Sequence, residues 1–368
     1  MKFLLLLVLL GKGHIKDTST GEWITESIVN AEPISSISIS MDPMNNPAIA
    51  FCENATTTSR DPMDPAITIF ETTTILKLAT FDGSEWNIED LVSGEGVKFC
   101  SLDYDNDGNP HIVFWSDTDY TIHYLVWNGT SWDDTLIDGG LEKMAGPECY
   151  IKIDSQGNPL IAYLARVATS PLLFAYRDGS DWIKTIIDPL MGHGINISMD
   201  LGSDGTPHVV YFDLTNYDLN YAVMGDRFWN TQTIDTQGIV GYEADIALDS
   251  NNLPHISYID RTIGAIKYAY FDGEDWQICM VDSTGDPTGM LGTSIELDSN
   301  DLPRILCNDL VGDQVECAVF DGSSWTMEPV DNRGHSISMV IDSDDQLHVA
   351  YYQHSYNSQS LKYAYYQE

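Results

Sequence analysis

The chain has 368 residues, with 56 Asp and Glu against 17 Lys and Arg, giving a net charge of −39. That excess of acid excludes nucleic acid and anionic membrane surfaces as partners, since both need a basic face. The 43% hydrophobic and 11% aromatic content suits a folded domain, and 368 residues allow one large all-β unit built by repetition rather than by enlarging one core.

Met1 to Leu10 reads as a short signal peptide: Lys2, then the apolar run Phe3–Leu10, too short to span a bilayer. Residues 1–17 are therefore assigned to a signal or disordered N-terminus, and 18–368 to the folded domain. No other membrane segment is visible, so no membrane insertion is expected. A secreted or cell-surface monomer follows.

One stretch, Asp245 to Asp282, gives the pattern for the rest. Asp245–Leu248 reads as a strand, Asp249–Asn252 as a polar turn, and Pro254 opens a second strand, His255–Ile259. Ile266–Tyr270 is a third strand, Asp272-Gly273 a hairpin turn, and Trp276–Val281 a fourth strand. Four short antiparallel strands returning roughly every 47 residues predict propeller blades. Trp23, Trp86, Trp132, Trp182, Trp229, Trp276 and Trp325 count seven copies, and so do the first-strand residues Ser38, Ser101, Tyr150, Ser198, Asp245, Ser294 and Ser338. The chain opens with an unaccompanied fourth strand, Trp23–Val29, and ends on a third strand, Leu361–Tyr365. These predict a seven-bladed β-propeller of four-stranded antiparallel blades, with the N-terminal strand completing the C-terminal blade and leaving no open edge.

The connections fall into two classes. First-to-second and third-to-fourth turns are short and constant; the others vary, and they mark the face that carries function. The candidate ligand-binding residues there are Glu95, Glu142, His193, Tyr242, Asp286, Arg333 and His335. The one long insertion, Asn54–Thr74 in blade 1, is Thr-rich and reads as a long loop. Sequons occur at Asn54, Asn128 and Asn196.

Three constellations carry possible chemistry. Asp103-Tyr104-Asp105-Asn106-Asp107-Gly108 sets alternating carboxylates before a glycine, a pattern that can wrap a hard cation. It is similar to the calcium loops of integrin-type propellers but lacks their final acid. A structural calcium at Asp103, Asp105 and Asp107 is one reading, an ordinary Asp-rich turn the other; no cofactor is otherwise required. His111, His208, His255 and His348 each begin a second strand. Equivalent atoms of different blades lie too far apart to share a metal, which points to a hydrogen bond inside each blade. Arg166, Arg261 and Arg333 share the variable face with Tyr242-Glu243. Six cysteines show no zinc spacing and read as buried thiols, with Cys307 and Cys317 on neighbouring strands as the one disulfide candidate.

The repeat Ser294…Asp298…Pro303, with Pro254-His255-Ile256 and Leu361-Lys362-Tyr363-Ala364-Tyr365, then Asp272-Gly273…Trp276, resembles the sialidase-like and BNR-like propeller repeats of secreted microbial proteins over residues 18–368. The resemblance implies carbohydrate (lectin-like) or cell-surface recognition. Its alternative is a sialidase-like glycoside hydrolase with an axial site, using Tyr242, Glu243, Arg166, Arg261 and Arg333; a structural surface scaffold is the third. Trp115 and Trp127 lie outside the repeat, as sugar-stacking or blade-packing residues. A lectin predicts similar shallow sites between blades, an enzyme a single deep axial pocket.

Overall fold

The computed structural model describes residues 21–60, 68–94, 96–139, 145–165, 171–189, 195–309, 312–355 and 358–367. These form seven four-stranded antiparallel sheets arranged as a propeller. In blade 5 the strands are Val240–Leu248, Pro254–Asp260, Ala265–Phe271 and Trp276–Ser283, each predicted strand extended by a few residues. The inner strands are Ile34–Met41, Val97–Tyr104, Ala145–Ile153, Ile195–Leu201, Val240–Leu248, Met290–Leu297 and Gly334–Ile341. Each touches the next around the axis, the last touching the first.

The apolar core is divided into seven clusters, one in each gap between neighbouring blades. The second strands supply the largest share of it and are buried along their whole length in blades 2, 4 and 5. The repeated tryptophan, at the start of the outermost strand, docks on the third strand of the preceding blade. Trp182 meets Tyr124, Trp276 meets Tyr221 and Trp325 meets Tyr268 edge-on at 5.4 Å, and Trp86 meets Tyr363 at 5.1 Å. The four tyrosines in turn bond the four repeated histidines: Nδ1 lies 2.6 Å from Oη in His111–Tyr124 and 2.5 Å in His208–Tyr221, His255–Tyr268 and His348–Tyr363. The expected role inside each blade is what these rings perform. Burial keeps all four imidazoles neutral. In blade 7, Nε2 of His348 also faces Asp342 Oδ2 at 3.2 Å, so Nε2 donates and Nδ1 accepts from Tyr363. Where the histidine is replaced, by Ala48, Leu160 or Arg304, the tyrosine is replaced as well, by Leu78, Phe174 or Cys317. Tyr221→Phe is expected to lower stability by about 1–2 kcal/mol, because it leaves His208 Nδ1 buried without a partner; urea unfolding measures this, and an unchanged midpoint refutes it.

Polar side chains of the inner strands link the blades in one rotational direction. Ser38 Oγ accepts the N–H of Leu102 at 3.0 Å, Ser101 that of Ile151 at 3.2 Å, Ser294 that of Met339 at 3.3 Å and Ser338 that of Ile39 at 3.2 Å. Asp245 Oδ2 does the same for Ile295 at 2.9 Å. The ring is closed as expected: Glu22–Asn30 pairs with Ser358–Gln367, completing the blade of Leu347–Ser355 and Gly334–Ile341.

The blade 1 insertion is a correction to the loop expectation. Pro47–Arg60 and Thr68–Phe81 stay paired from Asn54↔Thr74 out to Arg60↔Thr68, so the described residues of the segment form a two-stranded ribbon. Threonine's branched side chain suits that extended pairing. All six cysteines are free. Cys307 pairs across the hairpin with Glu316 and Cys317 with Leu306, so the two thiols point to opposite faces of the sheet. Trp115 is buried in the gap between blades 2 and 3, and Trp127 packs edge-on against Trp132 at 5.7 Å.

Candidate functional site

A polar cavity of about 860 Å³ occupies the axis, lined by all seven inner strands. Its wall consists of three tiers of seven residues. The middle tier is the repeated first-strand position. Two residues before it, at the end carrying the variable loops, stand Ser36, Phe99, Glu148, Asn196, Glu243, Gly292 and Ser336. Two residues after it stand Ser40, Asp103, Lys152, Asp200, Ala247, Glu296 and Val340.

The upper tier is set by a repeated distortion. Pairing with the second strand slips between Lys98 and Cys100, Ile195 and Ile197, Tyr242 and Asp245, and His335 and Ser338. The residue at each slip has a left-handed backbone: φ is 47° at Phe99, 70° at Asn196, 49° at Glu243 and 48° at Ser336. An extra residue in one strand of a pair kinks the strand and re-aims its side chain, here within the cavity wall. Non-glycine residues in this conformation are uncommon, and such strain concentrates at functional sites.

Three polar residues stand side by side on blades 3, 4 and 5. Glu148 Oε2 accepts the backbone N–H groups of Asn196 and, at 3.0 Å, Ile197. Burial, then the charge of Glu243, pushes Glu148 up to about 8 against the pull of those N–H groups. Burial pushes Glu243 up to about 7, opposed by a hydrogen bond from the Asn196 side chain and by Arg261. The Arg261 guanidinium lies 3.5 Å above the centre of the Tyr242 ring. Asn196 Oδ1 and Arg261 Nε are buried without a hydrogen-bond partner. Carboxyls ionising near neutrality can give or take a proton at physiological pH.

The lower tier is organised by Lys152, whose Nζ is 3.5 Å from Asp200 Oδ1. Burial works against its charge, but Asp200, Tyr150, Asp103 and Glu296 hold it protonated well above the usual lysine range. Burial pushes Glu296 up to about 8; Lys152 opposes this, and the charges of Asp200 and Asp245 add to it.

Of the residues singled out in the sequence, Tyr242, Glu243, Arg261 and His335 line the cavity. Arg333 and Asp286 lie outside its lining. Arg333 is half-exposed and pairs with Asp313 at 2.8 Å; exposed Asp286 caps its own turn through the N–H of Thr288 at 2.9 Å. Arg261 and Arg333 thus serve different partners. Glu95, Glu142, His193 and Arg166 lie outside the described residues. Asp103, Asp105 and Asp107 separate: Asp103 reaches the axis and accepts the N–H of Ile153 at 2.7 Å, whereas Asp105 closes its turn by accepting from Asp107 N at 3.0 Å and Asn109 N at 2.8 Å. Among the described residues no three His, Cys, Asp or Glu side chains form a group that could hold a metal ion. Asn196, read as a sequon, lines the cavity; Asn128 accepts the N–H groups of Thr130 and Ser131 at 3.0 Å in an exposed turn. Asn196 was read only as a sequon, although lining up the seven copies on their first-strand residue puts it, with Glu148, at the rank of Glu243.

No helix among the described residues is long and apolar enough to cross a membrane. No protein-family model and no curated protein matches the sequence. Among solved structures, the chain is similar to the BP39L lectin from Burkholderia pseudomallei, with 13% identity, a TM-score of 0.61, and coverage of 89% of this chain and 99% of the lectin. It is similar to YCF48 bound to a D1 peptide, with 12% identity, a TM-score of 0.56, and coverage of 95% and 96%. It is also similar to the α-L-arabinofuranosidase arb93a from Fusarium graminearum, with 9% identity, a TM-score of 0.50, and coverage of 93% and 98%. At such identities the likeness establishes the fold alone: the chain is a seven-bladed β-propeller that shares its architecture with lectins and glycosidases.

Proposed function

We propose that this protein is a secreted carbohydrate-binding module with one axial site. The observation that carries this reading is the polar axial cavity of about 860 Å³ with Glu148, Asn196, Tyr242, Glu243 and Arg261 on one side of its upper end. A sugar presents hydroxyls that both donate and accept, which matches an unmet acceptor on Asn196 and an unmet donor on Arg261. Phe99, in the same tier, offers an aromatic face. The gaps between blades are less suited, because the repeated tryptophans already pack against the neighbouring blade. A glycan-array screen followed by calorimetry tests the reading. Binding is expected to have one site per chain and to weaken about 10–100-fold in Arg261→Ala, the cost of losing a buried charged hydrogen-bonding group. Several equivalent sites, or an unchanged affinity in that variant, would overturn it.

Two features favour a second reading, glycoside hydrolysis at the same place: the cavity is axial rather than between blades, as an enzyme predicts, and the Glu148 and Glu243 carboxyls ionise near neutrality. Release of nitrophenol from aryl glycosides, lost in Glu148→Gln, would establish it.

A further inference from the structure

We infer that the ligand of the axial cavity carries ammonium groups along its length: an amino-sugar oligomer, with a linear alkyl polyamine as the other source of the same chemistry. The inference rests on the axial-site reading above.

The first support is the charge arrangement on the wall. Carboxyls occur in all three tiers: Glu148 and Glu243 in the upper, Asp245 in the middle, Asp103, Asp200 and Glu296 in the lower. Only Lys152 and Arg261 oppose them among the lining residues. A strand rises about 3.3 Å per residue, so tiers two residues apart are separated by about 7 Å, within reach of successive amines on a chain. The groups around Glu148 and Glu243 are Tyr242, Arg261 and Cys149; Arg261 is the one cation. His335, at the same end, is kept neutral by burial and by His354. One upper carboxylate therefore lacks a counter-charge, and burial makes it hold a proton instead.

The second support is a pair of acceptors with no donor. Asn308 is 1% exposed and its Oδ1 has no partner, while its Nδ2 donates to Gly334 O at 3.3 Å. That oxygen lies behind the cavity wall, 3.6 Å from where a Cβ on the lining residue Gly292 would stand. Asn196 Oδ1, two blades away in the same tier, is also unmet. Amide oxygens without donors call for a ligand that brings N–H groups. Gly292 itself has no structural need to be glycine: a Cβ there would meet Ile337 at 3.4 Å, an ordinary contact, and its φ lies outside the left-handed region. Its smallness leaves the wall open beside Glu243.

Calorimetry at pH 6.5 compares a glucosamine tetramer, its N-acetylated counterpart and spermidine, in two buffers of different ionisation enthalpy. The glucosamine tetramer is expected to bind at a single site at least tenfold more tightly than the acetylated form, releasing on the order of one proton per ligand as a carboxyl ionises. Glu148→Gln with Glu243→Gln should weaken it at least tenfold while the chain still unfolds cooperatively. Gly292→Leu should weaken it comparably. Tight spermidine binding with the same sensitivities, and none by either sugar, would uphold the ammonium inference and sink the carbohydrate reading. Equal or tighter binding of the acetylated tetramer would overturn the inference and leave that reading standing. Binding at many sites, untouched by these substitutions, would mean attraction to the acidic surface and overturn it too. Silence from all three ligands would count against both.

Discussion

A chain lacking residues 1–30 is expected to lose the folded ring. Glu22–Asn30 makes eight register pairs with Ser360–Gln367, and Trp23 packs edge-on against Tyr366 at 5.4 Å. Ladder hydrogen bonds at about 1 kcal/mol each, with burial of a tryptophan worth about 3, total on the order of 5–10 kcal/mol. That equals the whole stability of an ordinary domain. Truncation also leaves Ser358–Gln367 as an open edge, a template for aggregation. Size-exclusion chromatography and urea unfolding should find aggregated or non-cooperative material. A peptide spanning residues 21–31 should restore a cooperative transition, and Trp23→Ala in the full chain should cost about 3 kcal/mol. A truncated chain with an unchanged midpoint would show that the strand seals nothing.

Between about pH 6.5 and pH 8 the ligand-free protein should become less stable as pH rises. Glu148 and Glu296 ionise near 8 and Glu243 near 7 in the fold, against about 4.3 for an unfolded glutamate. Their folded proton affinity is raised, so the stabilisation is complete below the unfolded value and disappears as pH climbs through the folded one. Each tenfold change in affinity is worth about 1.4 kcal/mol, so water reaching the cavity still leaves a loss of a few kcal/mol. Glu296→Gln should flatten the curve and raise stability at pH 8 by about 1–2 kcal/mol, since an uncharged amide avoids the cost of burying charge. The four repeated second-strand histidines act in the opposite direction. Burial lowers their proton affinity, so their contribution holds above about pH 6.5 and fails on acidification, in the variant as in the parent. Thermal melts from pH 4 to 9 decide the matter. A midpoint that climbs steadily to pH 8 would contradict the buried-acid account.

The blade number, the strand order and the closure of the ring were legible because each repeats a local rule. The tryptophan marks every copy and the first-strand serine five of the seven, and an outer strand without a blade needs a blade without an outer strand. The axial site was only half legible. Tyr242 and Glu243 stood out as a polar pair after a variable loop, but the signal that gathers Glu148, Asn196 and Glu243 is shared rank in the repeat. Rank becomes visible only once the seven inner strands are known to face one axis. The same pleat parts Asp103 from Asp105. Two positions apart, they looked like ligands of one ion, yet the first continues a strand along the cavity and the second begins a turn. Arg333 looked equivalent to Arg261 by loop class alone, and an acid across its own hairpin claimed it.

The hydrogen bonds that pass from each inner strand to the next give the propeller a head and a tail at every blade. A standard seam needs only an acceptor side chain on one edge and a backbone N–H on the other, so most neighbours could be exchanged without new invention. Only the middle-tier bond lapses at blades 3 and 4, where Tyr150 replaces the serine and Ser198 Oγ turns to donate to Asp245 at 2.5 Å; there Glu148 and Asp200 supply the acceptors instead, to the N–H groups of Ile197 and Leu248. Glu148, Asn196 and Glu243 stand beside those two irregular seams. The ring is thus interchangeable around most of its circumference and individual along one arc, and that arc is where selection for a ligand would leave its mark.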